Sequence, residues 1–387
     1  MVEWKRIKDI CSNICSGGTP NTKTREYYNG NIPWLRTQEV DWGNIYDTEI
    51  KITQKGIDNS SAKIIEKDCV IVAMYGATAA KVAINKIPLS TNQACCNLKI
   101  NKNISNYKYV YYWLCKEYHK LKALGEGSQN NISGQKIKDY PIPIPPPSEQ
   151  QHIVETLDTF TTSIDNLKEQ IAQRRKQYEH YRDQLFSFEG RDLEKKKIGE
   201  LFVFKNGLNK GKAFFGHGTP IVNYTDVYHN RSLTKDSIKG KVELTENEIR
   251  RFEVHRGDVF FTRTSETPDE VGYPSVMLDE IDKCTFSGFV LRASPITQLL
   301  LPEYCKYCFF TYDVRKNIVR SATYTTRALT NGGVLSKISI PVPPLSEQSH
   351  MVSILDSFEA SIANLEEQLA LRQKQYEYYR EKLLTFE

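Results

Sequence analysis

SEQQHIVETLDTFTTSIDNLKEQIAQRRKQYEHYRDQLFSFE, from Ser148 to Glu189, decides how this chain is built, because it is written twice. Ser346 to Glu387 reads SEQSHMVSILDSFEASIANLEEQLALRQKQYEYYREKLLTFE, and 25 of the 42 positions are identical without a gap. An internal repeat this clear sets the architecture before any local pattern does. Large apolar residues step by four and three through the first copy: Ile153, Leu157, Phe160, Ile164, Leu167, Ile171, Tyr178, Tyr181, Leu185 and Phe188. The second copy gives Met351, Leu355, Phe358, Ile362, Leu365, Leu369, Tyr376, Tyr379, Leu383 and Phe386. Arg174 and Arg372 fill the one skipped slot in each. Such spacing is the heptad seam of a coiled coil. Ser148 and Ser346 are the expected N-caps, and the Pro runs before them block helix on that side. A helix of this length would extend roughly 63 Å.

A stripe that long needs a partner. The other copy is tethered in the same chain, so pairing within the chain is the expectation. Packing of each helix on its own neighbouring domain, or on a second chain, is the alternative. The shared Arg either fixes the register of the pair or snorkels to the edge of the seam.

Charge separates the helices from the rest. The net charge of +5 divides into −3 and −4 for the two repeated segments, +7 for residues 1–147 and +5 for residues 190–345. Two basic modules joined by an acidic spacer carry the electrostatic footprint of nucleic-acid binding. With 387 residues, 40% of them hydrophobic, the chain can hold two domains plus the helices. No apolar run is long enough to span a bilayer, and MVEWKRIKDI has no signal-peptide pattern, so the expectation is a cytoplasmic protein with no membrane partner. The nine Cys are scattered. Cys305 and Cys308 lack a second pair at zinc-finger spacing, and no metal site is expected.

Residues 1–147 begin with a strand from Trp4 to Ile14, a Gly-rich turn at Ser16–Pro20 and a basic loop through Lys23 and Arg25. Further strands fall at Ile32–Arg36, Asp68–Ala73, Val82–Ile84 and Cys95–Ile100. Asn106 to Ala123 is a Tyr-rich helix, 125–131 a polar segment, and Ile142–Pro147 a stiff extended lead. The same order returns at lower similarity in residues 190–345. Ile198–Leu201 answers Ile7–Ile10, Thr219–Val222 answers Ile32–Leu35, and Gly257–Phe261 answers Lys67–Ile71. Pro302 to Arg320 is a second Tyr-rich helix, 321–333 a polar loop, and Ile340–Pro344 a second Pro-rich lead. The order is module, helix, module, helix. Antiparallel helices would relate the halves by a two-fold axis and put the modules at opposite ends of a rod. Such a protein should read two short sequences at a fixed separation.

A search for chemistry finds none. There is no Asn/Asp-Pro-Pro-aromatic loop, no HExxH and no nucleophile elbow. Gly207–Ala213 lacks phosphate-loop spacing, and Gly125-x-Gly127 lacks the third Gly of a dinucleotide fingerprint. Pro268–Asp269 lacks the acid-x-Lys of a common nuclease site, and Asp68 and Asp258 suit turn capping. Base edges are read by Arg, Lys, Asn, Gln, Ser and Thr. The candidate DNA-binding residues of the first module are Gly18, Thr19, Lys23, Arg25, Arg36, Tyr75, Lys81, Asn92, Gln93, Ser128, Gln129 and Asn130. Those of the second are Lys210, Lys212, Asn223, Tyr224, Arg263, Thr264, Ser265, Tyr324, Thr326 and Arg327. Trp34 reads as core rather than as a stacking platform.

Ile-Pro-x-Pro-Pro-x-Ser-Glu-Gln, then Val-x-x-Leu-Asp-x-Phe, then Lys-Gln-Tyr-Glu-x-Tyr-Arg, used twice, resembles the DNA specificity subunit of type I restriction–modification enzymes, most of all the class IC branch. SGGTP…NGNIPWLR at Ser16–Arg36 is similar to the start of a target-recognition domain of that family. The resemblance implies an α+β protein with two mixed α/β target-recognition domains, 1–147 and 191–345. Two long helices, 148–190 and 346–387, would pair as an antiparallel coiled coil. Each domain would read half of a bipartite site in double-stranded DNA. The helices would set the gap and dock two methyltransferase subunits, with restriction subunits joining the complex. It implies a non-catalytic chain without a cofactor, S-adenosylmethionine and ATP with Mg being held by the partners. A single-chain DNA methyltransferase or nuclease, or a coiled-coil protein scaffold, are the competing readings.

Overall fold

The computed structural model describes residues 2–127, 131–188 and 193–386. The chain divides into two units, Met1–Glu169 with Glu366–Glu387, and Gln170–Leu365. Each unit thus holds one module together with part of each long helix.

In the first unit the chain start, Glu3–Arg6, pairs antiparallel with Pro141–Ile144. The two prolines lie on alternate residues, so their missing N–H groups fall on the side away from the partner strand. The expected strand from Trp4 to Ile14 is broken by one helical turn, Ile7–Ile10, before Cys11–Ser16 resumes it. Ile7 and Ile10, three residues apart, are both fully buried by that turn, and the Arg6 backbone N–H donates to Asp9 Oδ2 at 3.2 Å. A five-stranded sheet follows in the order Cys11–Ser16, Cys95–Ile100, Val70–Ala73, Val82–Asn85, Asn44–Ile45. A four-stranded sheet runs Ile50–Ile52, Tyr28–Leu35, Leu89–Thr91, Ile64–Ile65. Val70–Ala73 is buried on both faces, as its unbroken apolar run requires. The expected single helix over 106–123 is two, Tyr107–Lys116 and Tyr118–Ala123, parted at Glu117. Glu117 is buried; its carboxylate accepts from Tyr140 Oη at 2.8 Å and from Lys120 Nζ at 3.1 Å.

The second unit repeats these devices. Lys195–Lys197 pairs with Ser339–Pro341, the turn Ile198–Leu201 buries Ile198 and Leu201, and the Lys197 N–H donates to Glu200 Oε2 at 3.0 Å. Its main sheet runs Phe202–Asn206, Val290–Pro295, Val259–Thr262, Pro274–Met277, Ser232–Leu233. The second Tyr-rich helix is also two, Pro302–Cys308 and Tyr312–Ser321. The expected loop 321–333 contains the short strands Thr323–Tyr324 and Ala328–Leu329 and the start of the turn Gly332–Leu335. Cys305 and Cys308 are core residues, and burial pushes the Cys308 thiol up to about 12.

The long helices span Pro147–Leu185 and Leu345–Leu383, 39 residues each, about 58 Å at the usual rise. Their starts correct the expected caps. Pro147 and Leu345 are already helical, and the carbonyls of Pro146 and Pro344 accept the N–H groups of Gln150 and Gln348, both at 3.0 Å. Pro at the first helical position gives up a donor that had no partner anyway. The pairing is within the chain and antiparallel. In the first unit Phe160 stacks on Tyr379 at 5.1 Å, and Leu384 of the second helix's end packs in the same core as Ile153 and Leu157. In the second unit Tyr181 lies 5.2 Å from Phe358, and Leu185 packs in the core that holds Met351.

Arg174 and Arg372 take the same role in the two units. The Arg372 guanidinium sits 5.7 Å over Phe160, and that of Arg174 sits 5.7 Å over Phe358. Each Phe is therefore held between an Arg and a Tyr seven residues apart on the facing helix. Both arginines are half-buried, so the seam keeps them as cation–π partners. The glutamines of the SEQ motifs lock each helix to its module. Gln150 Oε1 accepts from Ser105 Oγ at 3.0 Å and the Asn106 N–H at 2.9 Å, and its amide donates to the Pro145 carbonyl at 2.9 Å. Gln348 Oε1 accepts from the Leu301 N–H, and its amide donates to the Leu299 and Pro343 carbonyls, each at 2.8 Å.

Candidate nucleic-acid interface

Where Trp34–Leu35 runs parallel to Ser90–Thr91, backbone bonds draw several loops of the first module to one edge. The Asn92 N–H donates to the Leu35 carbonyl, and the Gly18 N–H to the Thr91 carbonyl, both at 2.9 Å. The Met74 N–H donates to the Ala94 carbonyl and the Ile132 N–H to the Met74 carbonyl, both at 2.8 Å. Thr78 Oγ1 donates to the Thr37 carbonyl at 2.7 Å. Gly17 makes this crossing possible, since a Cβ there would stand 1.9 Å from the Thr91 carbonyl oxygen.

The second module repeats three of these bonds at its own crossing. Ile221–Val222 runs parallel to Thr285–Phe286. The Ser287 N–H donates to the Val222 carbonyl at 2.9 Å, the Leu208 N–H to the Phe286 carbonyl at 3.0 Å and the Thr330 N–H to the Arg263 carbonyl at 3.0 Å. A Cβ on Gly207 would stand 2.1 Å from the Ser287 carbonyl oxygen. These bonds make Gly17 equivalent to Gly207, Thr19 to Asn209 and Arg36 to Asn223. They make Met74 equivalent to Arg263, Tyr75 to Thr264, and Gln93–Ala94 to Gly288–Phe289.

They also correct one alignment. The Met277 N–H donates to the Asp258 carbonyl as the Asn85 N–H donates to that of Cys69. Asp68 therefore answers Gly257, one residue earlier than the sequence suggests, and both have positive φ, 62° and 92°. Asp258 caps its turn through the His255 N–H at 2.9 Å, and Asp68 accepts from Lys86 Nζ at 2.7 Å.

The edge gathers Thr19, Arg36, Tyr75, Lys81, Asn92 and Gln93 of the first module's candidates. Thr19 Oγ1 donates to Gln93 Oε1. Arg36 is ion-paired with Glu39 and Glu49, and Lys81 with Asp41. Asn92 Oδ1 accepts from Cys95 Sγ at 3.3 Å, and Tyr75 is exposed. Gly18 is buried at the crossing, and its carbonyl accepts from Trp34 Nε1 at 2.9 Å. Trp34 is thus core. Lys23 and Arg25 are exposed on a loop tied down by Tyr28 Oη, which donates to the Pro20 carbonyl at 2.7 Å. Ser128, Gln129 and Asn130 lie outside the described residues.

In the second module Arg263 is half-buried, and its Nη1 donates to the Gly288 carbonyl at 2.9 Å. Thr264–Ser265 pairs with Ala328–Leu329, which pairs with Thr323–Tyr324. This small ribbon carries Tyr324, Thr326 and Arg327 on its exposed surface, with Arg327 paired to Glu266 at 3.0 Å. Ser265 is buried, and its Oγ accepts from the Thr267 N–H at 3.1 Å. Tyr224 begins a stack through Tyr228, 5.8 Å away, to Tyr273, 5.6 Å further. The Asn223 N–H donates to Asp226 at 2.8 Å. Lys212 is exposed, whereas Lys210 pairs with Glu248 at 2.8 Å. That ion pair holds the Glu248 carboxyl down at about 2.

Sequence reasoning missed Asn209 and Phe289 on this edge. The Ser287–Gly288 dipeptide is a turn signal that could have marked the second. No group of three or more His, Cys, Asp or Glu side chains among the described residues is arranged to hold a metal. The groups at this edge are hydrogen-bonding, basic and aromatic.

Two stretches, residues 1–174 and 190–372, match the family described as type I restriction modification DNA specificity domain. The chain is 32% identical over 301 residues to the EcoR124I/EcoR124II specificity subunit of Escherichia coli, covering 72% of this chain and 70% of that one. It is 26% identical to the MjaIX specificity subunit of Methanocaldococcus jannaschii, over 96% and 89% of the two chains. Among solved structures, the S subunit of a type I restriction–modification system from M. genitalium superposes with a TM-score of 0.61 at 15% identity, over 100% and 97% of the two chains. A chain from a structure on complex assembly and conformational transition of the type I system gives 0.63 at 15% identity, over 99% and 97%.

Proposed function

The chain belongs to the type I restriction modification DNA specificity domain family, and from that premise we propose that its two modules read the two halves of a bipartite site in double-stranded DNA. The observation that carries this reading is the doubled loop edge: one backbone scaffold, used twice, with different side chains at equivalent positions. A shared scaffold with divergent readers is what two half-sites of different sequence require. The basic excess of the modules supports it, because phosphate contacts position a reader before bases are tested.

The paired helices serve as the ruler and as the platform for two methyltransferase subunits, with restriction subunits joining the assembly. The acidic balance of the helices keeps them off the DNA. A groove of about 770 Å³ within the first unit, lined among others by Trp42, His119, Lys168, Gln373 and Glu377, lies along both helices and supports a docking role. S-adenosylmethionine and ATP with Mg belong to the partners, and this chain contributes recognition without catalysis. No helix among the described residues is long and apolar enough to cross a membrane, and the cytoplasm, where the DNA is, is the proposed compartment.

The test is selection from random duplexes by the chain co-expressed with its methyltransferase. Recovery of a split motif with one fixed gap is the expected result. Methylation of DNA by this chain alone would overturn the division of labour.

A further inference from the structure

Phe289 is 72% exposed, while Ser287, Gly288 and Val290 around it are buried. A lone exposed aromatic is ordinary on a protein surface. This one is held out by a turn that has little freedom to withdraw it. The Gly288 N–H donates to the Leu208 carbonyl at 2.7 Å, the Ser287 N–H to the Val222 carbonyl at 2.9 Å and the Val290 N–H to the Ser287 carbonyl at 3.2 Å. Arg263 Nη1 clamps the Gly288 carbonyl at 2.9 Å. Asn209 closes the other side, its Oδ1 standing 2.1 Å from where a Cβ on residue 288 would be. At the equivalent place in the first module, Ala94 is buried and the neighbouring Gln93 bonds to Thr19. Arg263 also accepts the Thr330 N–H at its carbonyl. It thereby ties the Phe289 turn to the ribbon that exposes Leu329 and Tyr324.

We propose that Phe289 is a base-contacting residue of the second module, its ring buried against a nucleobase when the DNA binds, with Arg263 as the residue that positions it. This rests on the DNA-reading function proposed above. A rigid apolar ring meets DNA in two ways: against the C5-methyl of thymine in the major groove, or against the face of a base at an opened step. Either contact buries the same ring, and the two differ in what the DNA must present.

The experiment uses the full chain with its methyltransferase and the selected duplex. Phe289→Ala, at an exposed position, should leave thermal unfolding unchanged and weaken binding on the order of tenfold or more, with selectivity lost only in the second half-site. Replacing thymine by deoxyuridine in that half-site should weaken the wild type, and not Phe289→Ala, if the methyl is the contact. 2-Aminopurine in that half-site should brighten with the wild type only, if a step is opened. Arg263→Met should weaken binding in the same half-site, with partial loss relative to Phe289→Ala. Unchanged affinity and half-site preference for Phe289→Ala would overturn the assignment of Phe289. Absence of any sequence-selective binding by the wild type would instead overturn the DNA reading beneath it.

Discussion

The two modules agree at the crossing and differ on its surface. Gly18 and Leu208, Leu35 and Val222, Thr91 and Phe286 make the same backbone bonds in both, and Gly17 and Gly207 each leave room for a crossing carbonyl. One or two residues away, Thr19 faces Gln93 in the first, while Asn209, Gly288 and Phe289 stand together in the second. Met74 is a buried core residue, and its equivalent Arg263 is a half-buried clamp. The scaffold is conserved within the molecule because backbone hydrogen bonds inside a core are costly to leave unmade. The rim carries no such constraint, so it is free to encode two different readings.

Changes to the shared scaffold should act alike in both units, and changes to the rim should act apart. Gly17→Val and Gly207→Val each drive a side chain into a carbonyl, so each should destabilise its unit by about 3 kcal/mol or more, read as a lowered urea midpoint. A large effect in one and none in the other would break the equivalence. Gln150→Leu and Gln348→Leu leave buried backbone groups unpaired and should cost about 2–3 kcal/mol apiece, measured the same way. On the rim, Gln93→Ala should relax only the first half-site, by about 1–3 kcal/mol of discrimination, seen by repeating duplex selection. Arg174→Leu and Arg372→Leu remove one cation–π contact each and should lower stability by about 0.5–1 kcal/mol, equally in the two units. The smallest effect is one-sided. Glu248 has its folded-state carboxyl lowered to about 2 by Lys210. Its contribution is therefore present above the unfolded carboxylate range and lost as pH falls from about 4.5 toward 2. Glu248→Gln should flatten that part of an acid titration, which is the measurement that checks it.

The helices and their partner were legible because apolar 4-3 spacing depends only on residue type. Helix starts were less so: Ser148 is a good cap by composition, yet Pro147 already tolerates the first helical position. The Tyr-rich helices looked continuous because nothing in YYWLCKEYHK or YCFFTYDVRK breaks a helix. The first is parted at Glu117, whose carboxylate accepts from Tyr140 in the core, and the second after Cys308, with Thr311 as the extended residue that precedes Tyr312–Ser321; local propensity contains neither break. The Asp68–Asp258 alignment matched letters, whereas the backbone matches a left-handed residue, which Gly257 supplies more easily than Asp. Among the candidate contacts, basic and polar loop residues are chosen by type. Phe289 was not, because CTFSGFVLR also reads as one buried strand. Nor does Arg263 announce that it holds a turn, since its partner is a carbonyl 25 residues away.

In the proposed division of labour the modules read and the helices measure. The most direct test inserts one heptad into each long helix at paired positions of the seam and repeats the duplex selection with the methyltransferase present. Seven residues lengthen a helix by about 10 Å, so the gap between half-sites should grow by about 3 base pairs at 3.4 Å per base pair, with both half-sites unchanged. A changed half-site, or an unchanged gap in a folded and DNA-binding complex, would contradict it.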